Sequence, residues 1–252
     1  MPDHRFIGKK VVITGAAGVF GRWIARAYAA EGARLFLTDL REEPLRNAAS
    51  SLEAVEVHTH AADLTDESSA DGLIAAVQQH WGAPDIVINN AGIYPYRTLM
   101  EMDLKQWNET LDLNLAAPFL LTQRFAKRMI ENEVPGSFIN ISSGAASTAG
   151  VGMGNYSVSK VGLEMLTKTF ALELAPYHIR VNAVVPGYAP GSEVSVMTEE
   201  HTEMMIRITP LGRTSGPDDA PQAILYLTSE QASFITGAVL TVDGGRTAGR
   251  LK

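Results

Sequence analysis

Short apolar, β-branched runs alternate along the chain with segments of helical period. That alternation limits the possible folds more than any other feature. The candidate strands are Lys10–Thr14, Arg34–Thr38, Val55–His60, Ile86–Asn89, Ser137–Ile141, Arg180–Val185 and Val239–Val242. Between the first two, Trp23, Ile24, Ala27 and Tyr28 share one helical face. Leu73, Ile74, Val77 and Trp81 do the same between the third and fourth. Leu113 to Ile130 is a longer helix pattern with Gly136 beyond it as a stop, and Tyr156 to Ala175 is another, ended by Pro176. Strands separated by helices are joined by crossovers and lie parallel. The early strands are continuous apolar runs, as required where helices cover both faces of a sheet. The expected fold is α/β: a Rossmann-type, doubly wound parallel sheet with helices on both faces, in a single domain over residues 1–252.

A chain of 252 residues can bury a core of that size. Lys+Arg number 21 and Asp+Glu 28, and the net charge of −7 argues against nucleic acid as a partner. With no cysteine there is no disulfide scaffold, thiolate metal site or cysteine nucleophile, and no metal site is expected. The opening MPDHRFIGKK lacks the build of a signal peptide, and no apolar run approaches a membrane span. A cytoplasmic protein that does not engage membranes is expected. The least regular stretch, Pro186 to Pro217, holds four prolines and three methionines (Met197, Met204 and Met205). Such a length inside a compact domain reads as a lid or binding loop with a short helix of its own, placed at about 187–217.

The first strand runs into Thr14-Gly15-Ala16-Ala17-Gly18-Val19-Phe20-Gly21, where a helix pattern begins. This is the place for a dinucleotide turn. Gly15 lets the backbone turn sharply, Gly18 admits a pyrophosphate, and Gly21 lets the helix pack close to the sheet. The helix N-terminus offers free N–H groups to phosphate. The second strand ends in Thr38-Asp39. A carboxylate there either caps the next helix or accepts hydrogen bonds from the adenosine ribose. In the second role it repels a 2′-phosphate, so NAD is favoured over NADP, with Arg41 close enough to soften the discrimination.

Tyr156 and Lys160 stand four apart at the start of a helix pattern and so share a face. A phenol ionises near pH 10. A neighbouring ammonium, with a positive nicotinamide ring, stabilises the phenolate and lowers that value. A tyrosine so tuned exchanges a proton with an alcohol while hydride leaves or reaches its carbon. Ser142-Ser143 ends the strand Ser137–Ile141, at the sheet edge where ligands sit, and offers a hydroxyl to a substrate oxygen.

Together these residues resemble the short-chain dehydrogenase/reductase family, in its short branch of ~250 residues. The likeness runs from about Gly8 to Gly245. It rests on Thr14-Gly15…Gly21, Asp39, Asp63-Leu64, Asn89-Asn90-Ala91-Gly92, Asn114, Ser143, Tyr156-Ser157-Val158-Ser159-Lys160, Pro186-Gly187 and Thr236-Gly237…Val242-Asp243-Gly244-Gly245. The resemblance implies a seven-stranded parallel sheet of order 3-2-1-4-5-6-7 and commonly a homotetramer. It implies Tyr156 as general acid/base, Lys160 on the nicotinamide ribose, Ser143 on the substrate oxygen and Asn114 as anchor of a water relay. Asn114 also reads as a buried polar residue that satisfies helix backbone. For the cofactor, the resemblance implies the turn Gly15, Gly18, Val19, Phe20 and Gly21, then Asp39, Asp63 and Leu64 at the adenine. It adds Asn90 on the adenosine side and Pro186, Gly187 and Ala189 at the nicotinamide.

Two departures stand out. Val19 occupies the place of the usual middle glycine, giving Thr-Gly-x-x-Gly-x-x-Gly, the spacing of the extended branch with its sugar-nucleotide epimerases. A threonine that often meets the nicotinamide carboxamide falls at Gly191, with Ser192 beside it as a substitute. The expected pocket walls are Tyr94, Pro95, Tyr96, Ala145, Met153 and Tyr188. They suit a small to medium hydrophobic secondary alcohol or ketone. The lid has no basic cluster, since Arg207 and Arg213 stand apart, which disfavours a strongly anionic substrate. Three other readings stay open. One is an NADPH-dependent 3-oxoacyl-carrier-protein reductase, with Arg124, Lys127 and Arg128 as a docking patch. Another is a nucleotide-binding regulator without turnover. The third is an epimerase-like enzyme.

Overall fold

The computed structural model describes residues 5–52, 54–191 and 198–249. Strand β1 (Lys10–Thr14) leads into helix α1 (Val19–Ala30), followed by β2 (Arg34–Asp39), α2 (Glu42–Ser50), β3 (Val57–Ala61), α3 (Glu67–Trp81) and β4 (Ile86–Asn89). Helix α4 (Leu104–Leu111) continues through a π-helical turn, Asp112–Ala116, into α5 (Ala117–Glu131). Then come β5 (Ser137–Ile141), α6 (Gly154–Leu174), β6 (Arg180–Pro186), α7 (Glu199–Ile208), α8 (Asp219–Thr228) and β7 (Val239–Val242). The seven strands form one sheet in the order β3-β2-β1-β4-β5-β6-β7, and every pairing is parallel. This is the single Rossmann-like domain that the strand and helix alternation implies.

Alternate residues of each inner strand feed two cores. On one face Val11, Ile13, Leu35, Leu37 and Ile88 pack under Ile24 and Tyr28 of α1, Leu45 of α2 and Ile224 of α8. On the other, Val12, Phe36, Val87 and Phe138 pack under Leu73 and Val77 of α3, Phe125 and Met129 of α5, and Phe170 of α6. With apolar neighbours on both sides, β1 and β4 cannot alternate apolar with polar, which is why Val11–Ile13 and Ile86–Ile88 read as unbroken apolar runs. Some of the polar side chains that enter this interior pair with each other. Asn89 donates to Asn140 at 2.8 Å and Thr122 at 3.1 Å, and Asn140 donates to Thr167 at 2.9 Å, which ties β4, β5, α5 and α6 together.

Several boundaries differ from the sequence reading. β3 starts at Val57, not Val55, because Val55 closes a turn back onto the Leu52 carbonyl. β2 and β6 each run one residue further, to Asp39 and Pro186. The pattern from Leu113 is the second half of a longer helical rod that begins at Leu104. Asp103 opens that rod with a capping box to Gln106. Helix α6 starts two residues before Tyr156, at Gly154. Within the stretch read as a lid, Glu199–Ile208 forms helix α7, capped by Thr198, while Ser192 and Met197 lie outside the described residues.

Candidate active site

All seven strands are parallel, so their carboxyl ends share one edge, and the candidate residues lie at those strand ends or on the segments that leave them. The glycine turn leaves β1 there. Gly15 has φ +61°, and a Cβ on it would stand 2.8 Å from the Ala91 backbone, so only glycine lets the turn approach the loop after β4. At Gly21 a Cβ would overlap the Gly15 carbonyl oxygen and come within 2.7 Å of the Ala16 Cα. Gly18 differs: a Cβ there meets only the Gly15 carbonyl oxygen, at 3.3 Å, and otherwise faces open space. It is the N-cap of α1, has no side chain to cap with, and leaves the first N–H groups of the helix free for an anion; Val19 and Phe20 follow in the first turn. With the spacing present, Gly18 and not position 19 stands on the open side of the turn.

Neighbouring loops hold this turn in place. The Thr14 hydroxyl accepts the N–H groups of Asn90 and Ala91, each at 3.0 Å. The Asn90 amide donates to the carbonyls of Thr14 at 2.9 Å and Gly15 at 3.0 Å. Asp39, at the end of β2, does not cap α2; Arg41 occupies that N-cap position. Instead its Oδ2 accepts the Ala17 N–H at 3.0 Å, and its other oxygen has no hydrogen bond from the described residues. Asp63 follows β3 and is occupied locally by the Thr65 N–H and hydroxyl, at 2.9 and 2.6 Å, while Leu64 is buried beneath it. Gly187, after Pro186, sits against the Asp243 backbone, and Ala189 is half-buried on the same loop.

The other half of the site lies over β4, β5 and α6. The Ser143 hydroxyl is near enough to the Tyr156 phenol to draw its pKa down, and it caps the short turn behind it by accepting the Ala145 N–H at 3.2 Å. The Lys160 ammonium lies 5.7 Å from the Tyr156 ring centre and donates to the Ile141 carbonyl at 2.8 Å. Asn114 sits in the π-helical turn and is fully buried. Its amide accepts the Ile93 N–H at 2.9 Å and donates to the Ile93 carbonyl at 2.8 Å and the Ser159 hydroxyl at 3.2 Å. The turn swings Asn114 onto the strand-end loop that a regular helix would leave unbonded.

Charges here depart from the sequence expectation. Burial is the largest influence on the Tyr156 phenol and raises its pKa above 10; the Ser143 hydrogen bond and the Arg246 charge act against it, and Tyr94 adds to it. Lys160 is not among the groups that lower it. Burial also pulls Lys160 down, from 10.5 to about 8. An ammonium held by one carbonyl and sealed from water loses solvation that a single hydrogen bond does not replace.

Of the expected walls, Tyr94 lies 5.8 Å from the Tyr156 ring and Met153 is the N-cap of α6. Tyr188 bonds Thr202 and packs edge-on against His201, joining the end of β6 to α7. Tyr96 is turned away against Gly152 and is 72% exposed. Arg246 was not singled out in the sequence. It follows the Asp243-Gly244-Gly245 turn, which leaves β7 at the same edge as the catalytic candidates. The parallel register of a last strand is the signal that points to it.

The family model described as enoyl-(acyl carrier protein) reductase matches residues 15–247. The 3-oxoacyl-[acyl-carrier-protein] reductase of Thermotoga maritima is 35% identical, covering 96% of this chain and 98% of its own length. The trans-4-hydroxycyclohexanecarboxylate dehydrogenase of Sinomonas cyclohexanicum is also 35% identical, over 98% of this chain and 96% of its own. Among solved structures, a short-chain type dehydrogenase/reductase from Mycobacterium marinum superposes with a TM-score of 0.92 at 29% identity, covering 98% of both chains.

Proposed function

The chain belongs to the short-chain dehydrogenase/reductase family, and from that premise we propose that it is an NAD-dependent oxidoreductase that interconverts a secondary alcohol and its ketone. The observation that carries this reading is the meeting of Ser143, Tyr156 and Lys160 at the sheet edge that also bears the open glycine turn. The open face at Gly18 and the uncapped N-terminus of α1 fit a pyrophosphate. A nicotinamide dinucleotide bound there supplies the ring carbon that takes or gives hydride.

The protein's own groups do the rest. Tyr156 takes the proton of the substrate hydroxyl in oxidation and returns it in reduction. Ser143 donates to the substrate oxygen as charge develops on it. Lys160 holds the nicotinamide ribose and stabilises the phenolate as it forms, and Asn114 keeps the loop beside Lys160 in place for a proton relay through water. Asn90 steadies the phosphate turn. Asp63 and Leu64 border the adenine, Pro186, Gly187 and Ala189 the nicotinamide, and α7 borders a small-molecule substrate. The free Asp39 oxygen suits the adenosine ribose and opposes a 2′-phosphate, which favours NAD over NADP.

The 3-oxoacyl-carrier-protein reductase reading, with NADPH, draws on the family description and the Thermotoga relative. Against it, two of the three cations of the expected patch are already paired, Arg124 with Glu67 at 2.7 Å and Asp71 at 3.1 Å and Arg128 with Glu131 at 2.7 Å, which leaves Lys127 as the exposed cation there without an ion pair among the described residues. The two readings part in one assay: a panel of secondary alcohols, ketones and a 3-oxoacyl thioester, each with both cofactors, followed by the absorbance of reduced nicotinamide. NAD-linked alcohol turnover is expected. Strictly NADPH-linked reduction of the thioester contradicts the proposal, and cofactor binding without turnover of any compound returns the chain to a regulator.

A further inference from the structure

We propose that Arg246 is a docking group for a substrate carboxylate, so that the alcohols and ketones taken by this site are hydroxy acids and oxo acids. This rests on the oxidoreductase reading and narrows its substrate class.

Beyond β7 the chain turns sharply around Asp243. One carboxylate oxygen accepts the Gly245 N–H at 2.9 Å, and the other accepts the Thr247 N–H at 2.8 Å and hydroxyl at 2.6 Å. This turn presses Thr247 and Arg246 onto Gly144, the residue after Ser143. A Cβ on Gly144 would stand 2.8 Å from the Thr247 methyl and 3.8 Å from an Arg246 guanidinium nitrogen. The guanidinium is therefore one residue away from the serine at the reacting oxygen, and its charge is felt at the Tyr156 phenol.

What marks Arg246 is the lack of an acceptor. Asp243 is the acid that feels its charge, but both Asp243 oxygens are committed to the turn, and the pair forms no ion pair. No other group among the described residues hydrogen-bonds the guanidinium. Most of the described arginines are paired: Arg34, Arg124 and Arg213 have carboxylates, and Arg180 has three backbone carbonyls. Arg26, Arg97 and Arg207 make no such bond but are exposed, so water serves them. Arg246 is half-buried against the site. A guanidinium beside the site without a protein acceptor has its donors open to a ligand, and a bidentate carboxylate is the ligand its geometry fits. A hydroxy acid that reaches it places its carbinol carbon towards Ser143 and Tyr156. In oxidation that carbon gives hydride to the nicotinamide and its hydroxyl proton to Tyr156, while the carboxylate is unchanged.

The test compares acids with their esters. Rates are measured with NAD for 4-hydroxycyclohexanecarboxylate and 3-hydroxybutanoate and for the methyl ester of each, in wild type, Arg246→Gln and Arg246→Lys. Wild type is expected to prefer the acids. In Arg246→Gln the acid-to-ester ratio of kcat/KM falls about 10- to 100-fold, mostly through KM, and Arg246→Lys restores part of it. A parallel thermal-shift titration of the NAD-bound protein uses cyclohexanecarboxylate, with its neutral amide as control. Stabilisation by the acid alone, lost in Arg246→Gln, is expected. An unchanged ratio in Arg246→Gln, or wild type that neither prefers nor binds the acid, overturns the assignment. Carboxylate binding that depends on Arg246, without turnover of any alcohol, overturns the oxidoreductase reading and leaves the docking site standing.

Discussion

Lys160 shows how a candidate catalytic side chain is held at the expense of stability. Burial brings its pKa to about 8 from an ordinary 10.5. Below pH 8 the folded protein carries the whole penalty of an ionised, desolvated ammonium. Between 8 and 10.5 the folded state releases the proton while the unfolded state keeps it, so stability rises with pH across that window. Lys160→Met, which leaves only the Ile141 carbonyl without its donor, is expected to be about 2 kcal/mol more stable than wild type at neutral pH. That advantage shrinks as pH climbs through the window. Urea unfolding at both ends measures it, and a gap that does not change with pH would show that burial is not the cause. The residue types and spacing of Ser143, Tyr156 and Lys160 are legible in the sequence because they are local to one strand end and one helix turn. The raised phenol and the reach of Arg246 are not, because each depends on segments far apart in the chain.

Among the elements, the turn from β1 to α1 separates two kinds of glycine. Gly21 is needed for packing and Gly18 for access. Gly21→Ala drives a methyl into the Gly15 carbonyl and is expected to cost about 2–3 kcal/mol, read as a lower midpoint in denaturant. Gly18→Ala meets one atom at 3.3 Å and is expected to leave that midpoint nearly unchanged while weakening dinucleotide binding about tenfold or more by calorimetry. Equal destabilisation by both would contradict this division. The cores of β1, β2 and β4 were legible as short apolar runs, whereas strand ends depended on turns such as Leu52 to Val55. The short polar helices α2 and α4 carry too few apolar positions to show a period, since Leu45 and Ala48 are the buried positions of α2 and Thr110 that of α4. The π-helical turn that aims Asn114 has no sequence signature of its own.

At the scale of the molecule, strand order followed from the resemblance and not from any pattern in the runs themselves, because parallel strands buried on both faces look alike. No helix among the described residues is long and apolar enough to cross a membrane. Yet α4, α5 and α6 turn Leu104, Phe119, Met165 and Leu172 outwards, with exposures of 73%, 44%, 61% and 80%. A groove between the rod and α6 is lined by Leu115, Phe119 and Met165. Apolar faces of this extent suit self-association, and the homotetramer implied by the family resemblance is the assembly we propose. Light scattering is expected to return four chains, and Phe119→Glu with Met165→Glu to give smaller species; a wild-type monomer at micromolar concentration contradicts it. The central claim is that the Tyr156 phenol carries the proton while hydride moves. Its most direct measurement is the rate of reduced-nicotinamide formation by Tyr156→Phe with the best alcohol of the panel, alongside its affinity for NAD. A rate about a thousandfold below wild type with NAD binding intact is the expected result, and a variant that keeps most of its rate contradicts the account.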